Sequence, residues 1–247
     1  MTIVRPEAPD FAIDHPIMRQ EWRTLTYVHW PVPITQVASR LPSGLAVDTF
    51  DGHAWVGLVP FEMVGIRFGR LPRVPWLGTF PETNVRTYVN GPDGPGVWFD
   101  SLDISRLAPV AAARIGYGLP YNWAHMTIAK RGDVIRYEAR RRWPERNARS
   151  TVEVAVGRRI EEPDALATFL SARWRLYTRL GNSLASARVA HEPWPLHAAH
   201  VTTLDDELIG AANYIPFDVE PHVMYSPGVT VSVERPRKLR SLEVGRR

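Results

Sequence analysis

The sequence predicts an α+β fold, a single domain carried on antiparallel strands with a few helices. Three observations predict it. Several segments alternate β-branched or aromatic residues with polar ones, the period-two pattern of strands with one packed face. Twenty-two prolines and nine tryptophans supply many turns and a bulky aromatic core. No internal repeat, low-complexity tract or linker divides the 247 residues, a length that one large domain can use.

The elements follow in chain order. Residues 1–15 are polar and punctuated by proline, which predicts an arm over the surface; the domain proper runs from 16 to 234. In QEWRTLTYVHW (20–30), Trp22, Thr24, Thr26 and Val28 alternate with Arg23, Leu25, Tyr27 and His29, a strand that Pro31 and Pro33 end. Ile34–Leu41 reads as a short helix stopped at Pro42 and Gly44. Leu45–Phe50 and His53–Val59 form a hairpin around Asp51-Gly52, and 60–66 continue as strand. Residues 67–78 are a loop rich in proline and glycine, followed by the strand Phe80–Val89. Asn90–Gly96 is a turn, and Val97–Asp103 returns antiparallel to the preceding strand. Ser105 caps a helix to Tyr117, with Leu107, Val110, Ala111 and Ile115 on its apolar side. Met126–Ala129, Val134–Arg142 and Thr151–Val156 are strands. Glu162–Arg179 is the clearest helix, with Pro163 in its first turn and a core stripe of Leu166, Phe169, Leu170, Trp174 and Tyr177. Ser186–Thr203 reads as two strands broken at Pro193 and Pro195, and Asp205–Ala212 as a short helix. His222–Val233 is a strand kinked at Pro227-Gly228, and 235–247 form a basic tail.

Composition excludes several chemistries. There is no cysteine, so no disulfide, thiolate metal site or cysteine nucleophile. The formal charge of +4 is carried by scattered arginines, with lysine only at 130 and 238, which does not make a nucleic-acid surface. MTIVRPEAPDF lacks the apolar stretch of a signal peptide, and no apolar run approaches the roughly 20 residues of a membrane span. These features predict a cytoplasmic protein without membrane partners, free to form a homo-oligomer. Gly-rich phosphate loops, dinucleotide fingerprints, G-x-S-x-G and H-E-x-x-H are absent, and no cofactor is expected.

The candidate site centres on FPETNVRTYV (80–89). As a strand it sets Glu82, Asn84, Arg86 and Tyr88 on one face and Thr83, Val85, Thr87 and Val89 on the other. An acid, an amide, a guanidinium and a phenol make a poor solvent face and a good binding wall. Glu82 and Arg86 could hold opposite ends of one small polar ligand; the alternatives are a structural ion pair, a solvated face or a subunit contact. Trp76 and Trp123, from loops 67–79 and 118–125, would wall the pocket with Tyr88. His125 is a candidate base if a carboxylate tunes it, against the plainer reading of a packed histidine. Tyr225, before Pro227-Gly228, is a weaker candidate beside a simple strand bend. His197 and His200 have metal-ligand spacing only on a helix, and their proline-flanked context predicts strand, so no metal site is expected.

LPSGLAVDTFDGHAWVGLVPFEM, ETNVRTYV, GVWFDSLD, GLPYNWAHM, FLSARWRLYTR, HEPWPL and MYSPGVTV together resemble the YqjF-like family, an uncharacterised-domain family grouped with the acetoacetate decarboxylase-like superfamily. The resemblance covers residues 15–234. It implies curved antiparallel sheets forming a barrel- or cone-like cavity, with the helices outside. The decarboxylase uses a Schiff-base lysine in a Gly-x-Pro-Lys-Lys turn. The similar turn here is Gly118-Leu119-Pro120-Tyr121-Asn122, where tyrosine and asparagine replace the lysines, so that route is lost. The resulting expectation is a cavity that binds a small, partly apolar carboxylate or carbonyl compound. Arg86 would take the anion, Asn122 would orient the other end, and proton transfer, if any, would use Glu82 as base and Tyr121 as donor. A non-catalytic binding or sensing module is the alternative.

Overall fold

The computed structural model describes residues 8–69, 78–106, 118–144 and 147–239. Thirteen strands form one continuous sheet: β1 Met18–Val32, β2 Ala46–Val47, β3 Ala54–Phe68, β4 Phe80–Gly91, β5 Gly94–Ile104, β6 Tyr121–Arg131, β7 Val134–Trp143, β8 Arg149–Arg159, β9 Arg175–Leu180, β10 Ser183–His191, β11 His197–Asp206, β12 His222–Val233 and β13 Arg237–Lys238. Among the described residues three short helices lie between them: α1 Ile34–Ala38, α2 Ala165–Ser171 and α3 Leu208–Ala211.

The sheet closes on itself. Nine strands pair in a ring, β5-β6-β7-β8-β11-β12-β1-β3-β4, and β4 pairs back to β5. This is the barrel that the resemblance implied. Pairing is antiparallel throughout except β5 with β6 and β5 with β9. The β9–β10 hairpin leaves the ring at β5 and rejoins it at β12, so it closes a second, smaller ring against the wall β12-β1-β3-β4-β5.

That wall therefore has an interior on both sides. One side packs Leu25, Tyr27, Phe61 and Tyr88 against Phe169, Leu170 and Leu176 of α2 and β9. The other packs Val28, Val56, Leu58 and Val85 against Ile135, Tyr137 and Val152 of β7 and β8. Successive side chains on these strands alternate between two cores rather than between core and solvent.

Keeping the right residues on the right side requires bulges, because a one-residue slip flips a strand's faces. In β1 the register against β3 shifts between Arg23 and Val28, and Thr24 adopts φ 48°. Trp22 thus shares its face with Leu25 and Tyr27, not with Thr24 and Thr26 as strict alternation predicts. Gly57 of β3 pairs with His29 on one side and Arg86 on the other, and the His29 ring occupies the space a Cβ would need.

Two expected elements differ. The long helix 162–179 is only α2, capped by the Asp164 side chain accepting from Ala167 N at 2.7 Å. Ala172 leaves the helical region, and 175–180 become β9, paired to both β5 and β10. Helical propensity is worth a few tenths of a kcal/mol per residue, and two ladders of backbone bonds outweigh it. The stripe residues Trp174 and Tyr177 remain core, Trp174 from the segment before β9 and Tyr177 from β9 itself. The hairpin at Asp51-Gly52 reduces to one bridge, Phe50 to His53, while the two turn residues keep the positive φ such turns need. GLPYNW is not all turn, since Tyr121, Asn122 and Trp123 begin β6. The tail contributes β13, paired to β10. The helix expected at 105–117 falls almost wholly outside the described residues.

Gly57→Ala should destabilise the protein by on the order of 1–3 kcal/mol through overpacking against His29. A lower urea midpoint with unchanged slope would confirm it; an unchanged midpoint would refute the close approach.

Candidate functional site

The smaller ring encloses a cavity of about 200 Å³. Its floor is the shared wall and its cover is α2, β9 and β10. The lining is mostly apolar, with Leu25, Phe61, Met63, Leu102, Ile104 and Val189 among its residues. Of its polar residues β4 supplies Glu82, Asn84 and Arg86, all three buried and all on one face. The opposite face carries Val85 into the other core and Thr87 into a bond with the Trp55 carbonyl.

Arg86 is held rather than neutralised. Its Nη2 donates to Tyr88 Oη at 3.3 Å and to the Leu170 carbonyl at 3.2 Å. Its guanidinium lies 5.3 Å from the Tyr27 ring centroid. No carboxylate among the described residues pairs with it, and its Nε has no hydrogen-bond partner among them. The neighbouring arginine differs. Arg173 Nη1 sits 2.5 Å from Asp48 Oδ2, its Nε donates to the Phe169 carbonyl, and its plane covers the Tyr88 ring. Of two buried guanidinium groups lining the cavity, one has its counter-ion in the protein.

Tyr88 is the pin behind Arg86. Its hydroxyl donates to the Leu170 carbonyl at 2.8 Å, so the 2.6 Å contact with His29 Nε2 has the imidazole as donor. Burial, then the Arg86 charge, holds His29 well below its ordinary range, so the ring stays neutral.

Glu82 stands two pleats from Arg86, roughly 13 Å along the strand. Burial, then the nearby Asp103, raises its carboxyl to about 8. Its Oε2 and the Asn84 Oδ1 have no hydrogen-bond partner among the described residues. Asp103 is itself engaged by Arg141 through two bonds of 2.7 and 2.8 Å on the other side of the wall. Near neutral pH, Glu82 is therefore a protonated acid, and Arg86 is a buried cation with no carboxylate partner among the described residues.

The chain matches the DUF2071 family, described as an uncharacterized conserved protein, over residues 19–230. It belongs to that family. It is 38% identical to the uncharacterized protein YqjF of Bacillus subtilis (strain 168) over 188 residues, covering 74% of this chain and 76% of the relative. Solved structures with the same fold include the acetoacetate decarboxylase of Legionella pneumophila (TM-score 0.66, 13% identity, 97% of this chain and 94% of that one). They also include the enduracididine biosynthesis enzyme MppR complexed with pyruvate (TM-score 0.65, 15% identity, 94% and 93%). At such identities the likeness is one of fold.

In this DUF2071 chain the residues singled out from sequence divide into two groups. Glu82, Asn84, Arg86 and Tyr121 line the cavity, and Tyr88 braces Arg86 from behind. Tyr121 pairs with Leu102, which pairs with Asn84, so the three share a row across the sheet. The others lie elsewhere. His125 is exposed on β6, because alternation from the buried Ala124 turns it to solvent. Asn122 is buried but faces away from Tyr121 and from the cavity. Trp123 packs at the edge of the core under Arg142 and does not line the hollow. Tyr225 belongs to the other core. Trp76 lies outside the described residues. His197 bonds the Gly157 carbonyl and His200 is exposed. Glu82, Asn84 and Arg86 are covered by this chain's own elements, so the subunit-contact reading of that face does not hold. Among the described residues no helix is long and apolar enough to cross a membrane.

Sequence reading passed over Gln20, Trp22, Tyr27, Arg173, His191 and Trp194, all of which line the cavity. Arg173 was hidden inside the expected helix. Strict alternation sets Trp22 and Tyr27 on opposite faces, since nothing in QEWRTLTYVHW announces the bulge. In HEPWPL no period or spacing marks His191 or Trp194 as cavity residues.

The Glu82 carboxyl predicts a pH effect. The folded state keeps its proton up to about 8, whereas an unperturbed glutamate loses it near 4.5. Between those values the folded state holds the extra proton, so stability falls as pH rises through the window and levels off above it. Glu82→Gln should remove that slope and leave the variant more stable than the parent above pH about 8, by at most about 5 kcal/mol. Urea unfolding from about pH 5 to about pH 9 measures it; parallel curves for the two proteins would refute it.

Proposed function

We propose that the cavity binds a small carboxylate with an apolar body, Arg86 taking the anionic end. The observation that carries this reading is a buried guanidinium on a cavity wall with no carboxylate partner among the described residues. Leaving a charge buried without a partner is costly, and an anion supplied by a ligand offsets that cost. The Nε and the unused guanidinium hydrogens suit the two oxygens of a carboxylate. The apolar lining suits a short hydrocarbon or ring, and the volume suits a molecule of a few to about ten heavy atoms. MppR, one of the proteins sharing the fold, was solved with pyruvate, a small carboxylate, which supports the choice of ligand class.

Glu82, protonated near neutral pH, would face the far end of such a ligand as a hydrogen-bond donor, and Tyr121 would lie across the same region. If chemistry follows, it is lyase- or isomerase-type proton transfer in which Glu82 begins as the acid rather than the base. Schiff-base chemistry has no amine here, since Lys130 and Lys238, the chain's two lysines, are both exposed on strands away from the cavity. The same geometry without a proton-transfer step describes a binding or sensing module, and the missing amine favours that second reading.

Short oxo and hydroxy acids, added one at a time, should raise the melting temperature, since a ligand that binds only the folded state stabilises it by about 2.7 kcal/mol at a hundredfold excess over Kd. Arg86→Gln should abolish the shift while the variant remains folded. A shift that survives in Arg86→Gln would overturn the assignment.

A further inference from the structure

The cavity has a second polar end, built by residues from β1, β10 and the segment after it. His191 closes β10, and its Nδ1 lies 2.6 Å from the Glu192 carbonyl oxygen. A carbonyl only accepts, so Nδ1 carries the ring proton. In the neutral ring Nε2 is then a lone-pair acceptor, on a residue that lines the cavity. Burial lowers His191 to about 4, so the ring is neutral over the physiological range.

Three indoles stand around this ring, Trp174 at 4.5 Å, Trp194 at 4.9 Å and Trp22 at 6.4 Å, and the last two line the cavity. Trp22 and Trp194 stack at 6.1 Å with 16° between their planes. The Nε1 atoms of these two indoles and the Oε1 of Gln20 are buried with no hydrogen-bond partner among the described residues. Gln20 and His191 both pair with Val231, which puts them in one row across β1, β12 and β10. All four residues line the cavity. Each orphaned buried polar group costs about 1–3 kcal/mol, and three of them gathered beside the His191 ring at one end of one hollow call for a partner.

We infer that Gln20, Trp22, His191 and Trp194 form a second recognition site in the cavity, one that takes a hydroxyl or similar uncharged group able to donate and accept at once. Its one hydrogen goes to His191 Nε2 and the Trp22 and Trp194 indole N–H groups donate to its two lone pairs; Gln20 lines the hollow beside it. Arg86 lies over Tyr27 at 5.3 Å, and Tyr27 meets Trp194 edge-on at 5.7 Å, so both ends of the hollow fall within one small molecule's reach. The inference rests on the cavity being a ligand site. It narrows the ligand to a carboxylate carrying a hydroxyl at its far end, across a short apolar body.

Calorimetry with benzoate, para-hydroxybenzoate and phenol on the full chain tests it. The parent should bind para-hydroxybenzoate about tenfold tighter than benzoate, the value of one net hydrogen bond. His191→Phe should erase that preference with benzoate binding kept, and Trp194→Phe, which keeps a ring without the N–H, should reduce it. Equal affinities in the parent, or a preference that survives His191→Phe, would overturn the second site. Phenol separates the two assignments. Phenol bound by the parent and by Arg86→Gln but not by His191→Phe, with benzoate unbound, defeats the carboxylate reading and upholds this one. Loss of all three probes in the parent defeats this one too. Nitrogen-15 spectra of the parent should show His191 protonated at Nδ1; protonation at Nε2 would contradict the acceptor role.

Discussion

Both faces of β4 are buried, and the rest of the molecule follows from that constraint. A strand with solvent on one side can leave polar groups to water. A strand between two interiors must give every polar side chain a partner or a purpose. Thr83 and Thr87 are small enough to be absorbed on the barrel side, and Thr87 bonds a backbone carbonyl. Glu82, Asn84 and Arg86 are too large and too polar for a sealed core. They are accommodated because the hairpin β9–β10 and helix α2 stand off from the wall and leave a hollow there.

The hollow is kept in shape by a small set of directional contacts. Leu170 ends α2 with a carbonyl that accepts from both Tyr88 and Arg86, tying the cover to the floor. His29 donates to Tyr88 from the adjoining strand pair, and Gly57 provides the space for its ring. Arg173, just after α2, reaches Asp48 beyond β4. These bonds join elements far apart in sequence, so Arg86 is oriented by four separate segments. Preorganisation of this kind keeps a binding group ready without reordering when a ligand arrives.

The two arginines show how context assigns roles to identical side chains. Arg173 with Asp48 is a closed pair inside the fold, and its removal would be felt as lost stability. Arg86, with phenols and a carbonyl but no acid, keeps its charge available. The two carboxyls on either side of the wall divide in the same way. Asp103 is paired with Arg141, and Glu82, buried near it with no cation partner among the described residues, holds its proton.

The sequence by itself determined the local facts: which segments are extended, that ETNVRTYV sorts its polar residues to one face, where the prolines and glycines end strands, and that no lysine stands in the GLPYN turn. Each depends on period, propensity or residue identity, which are properties of a few neighbouring positions. Only the tertiary structure decided which faces meet. The Thr24 bulge moves Trp22 onto the cavity side, the pairing of 175–180 with β5 and β10 converts an expected helix into a strand, and the cover over one face of β6 encloses Tyr121 but leaves His125, on that same face, to water. These outcomes depend on partners in other strands, as far apart in sequence as Val97 and Leu176, whose backbone groups and volumes no local pattern encodes.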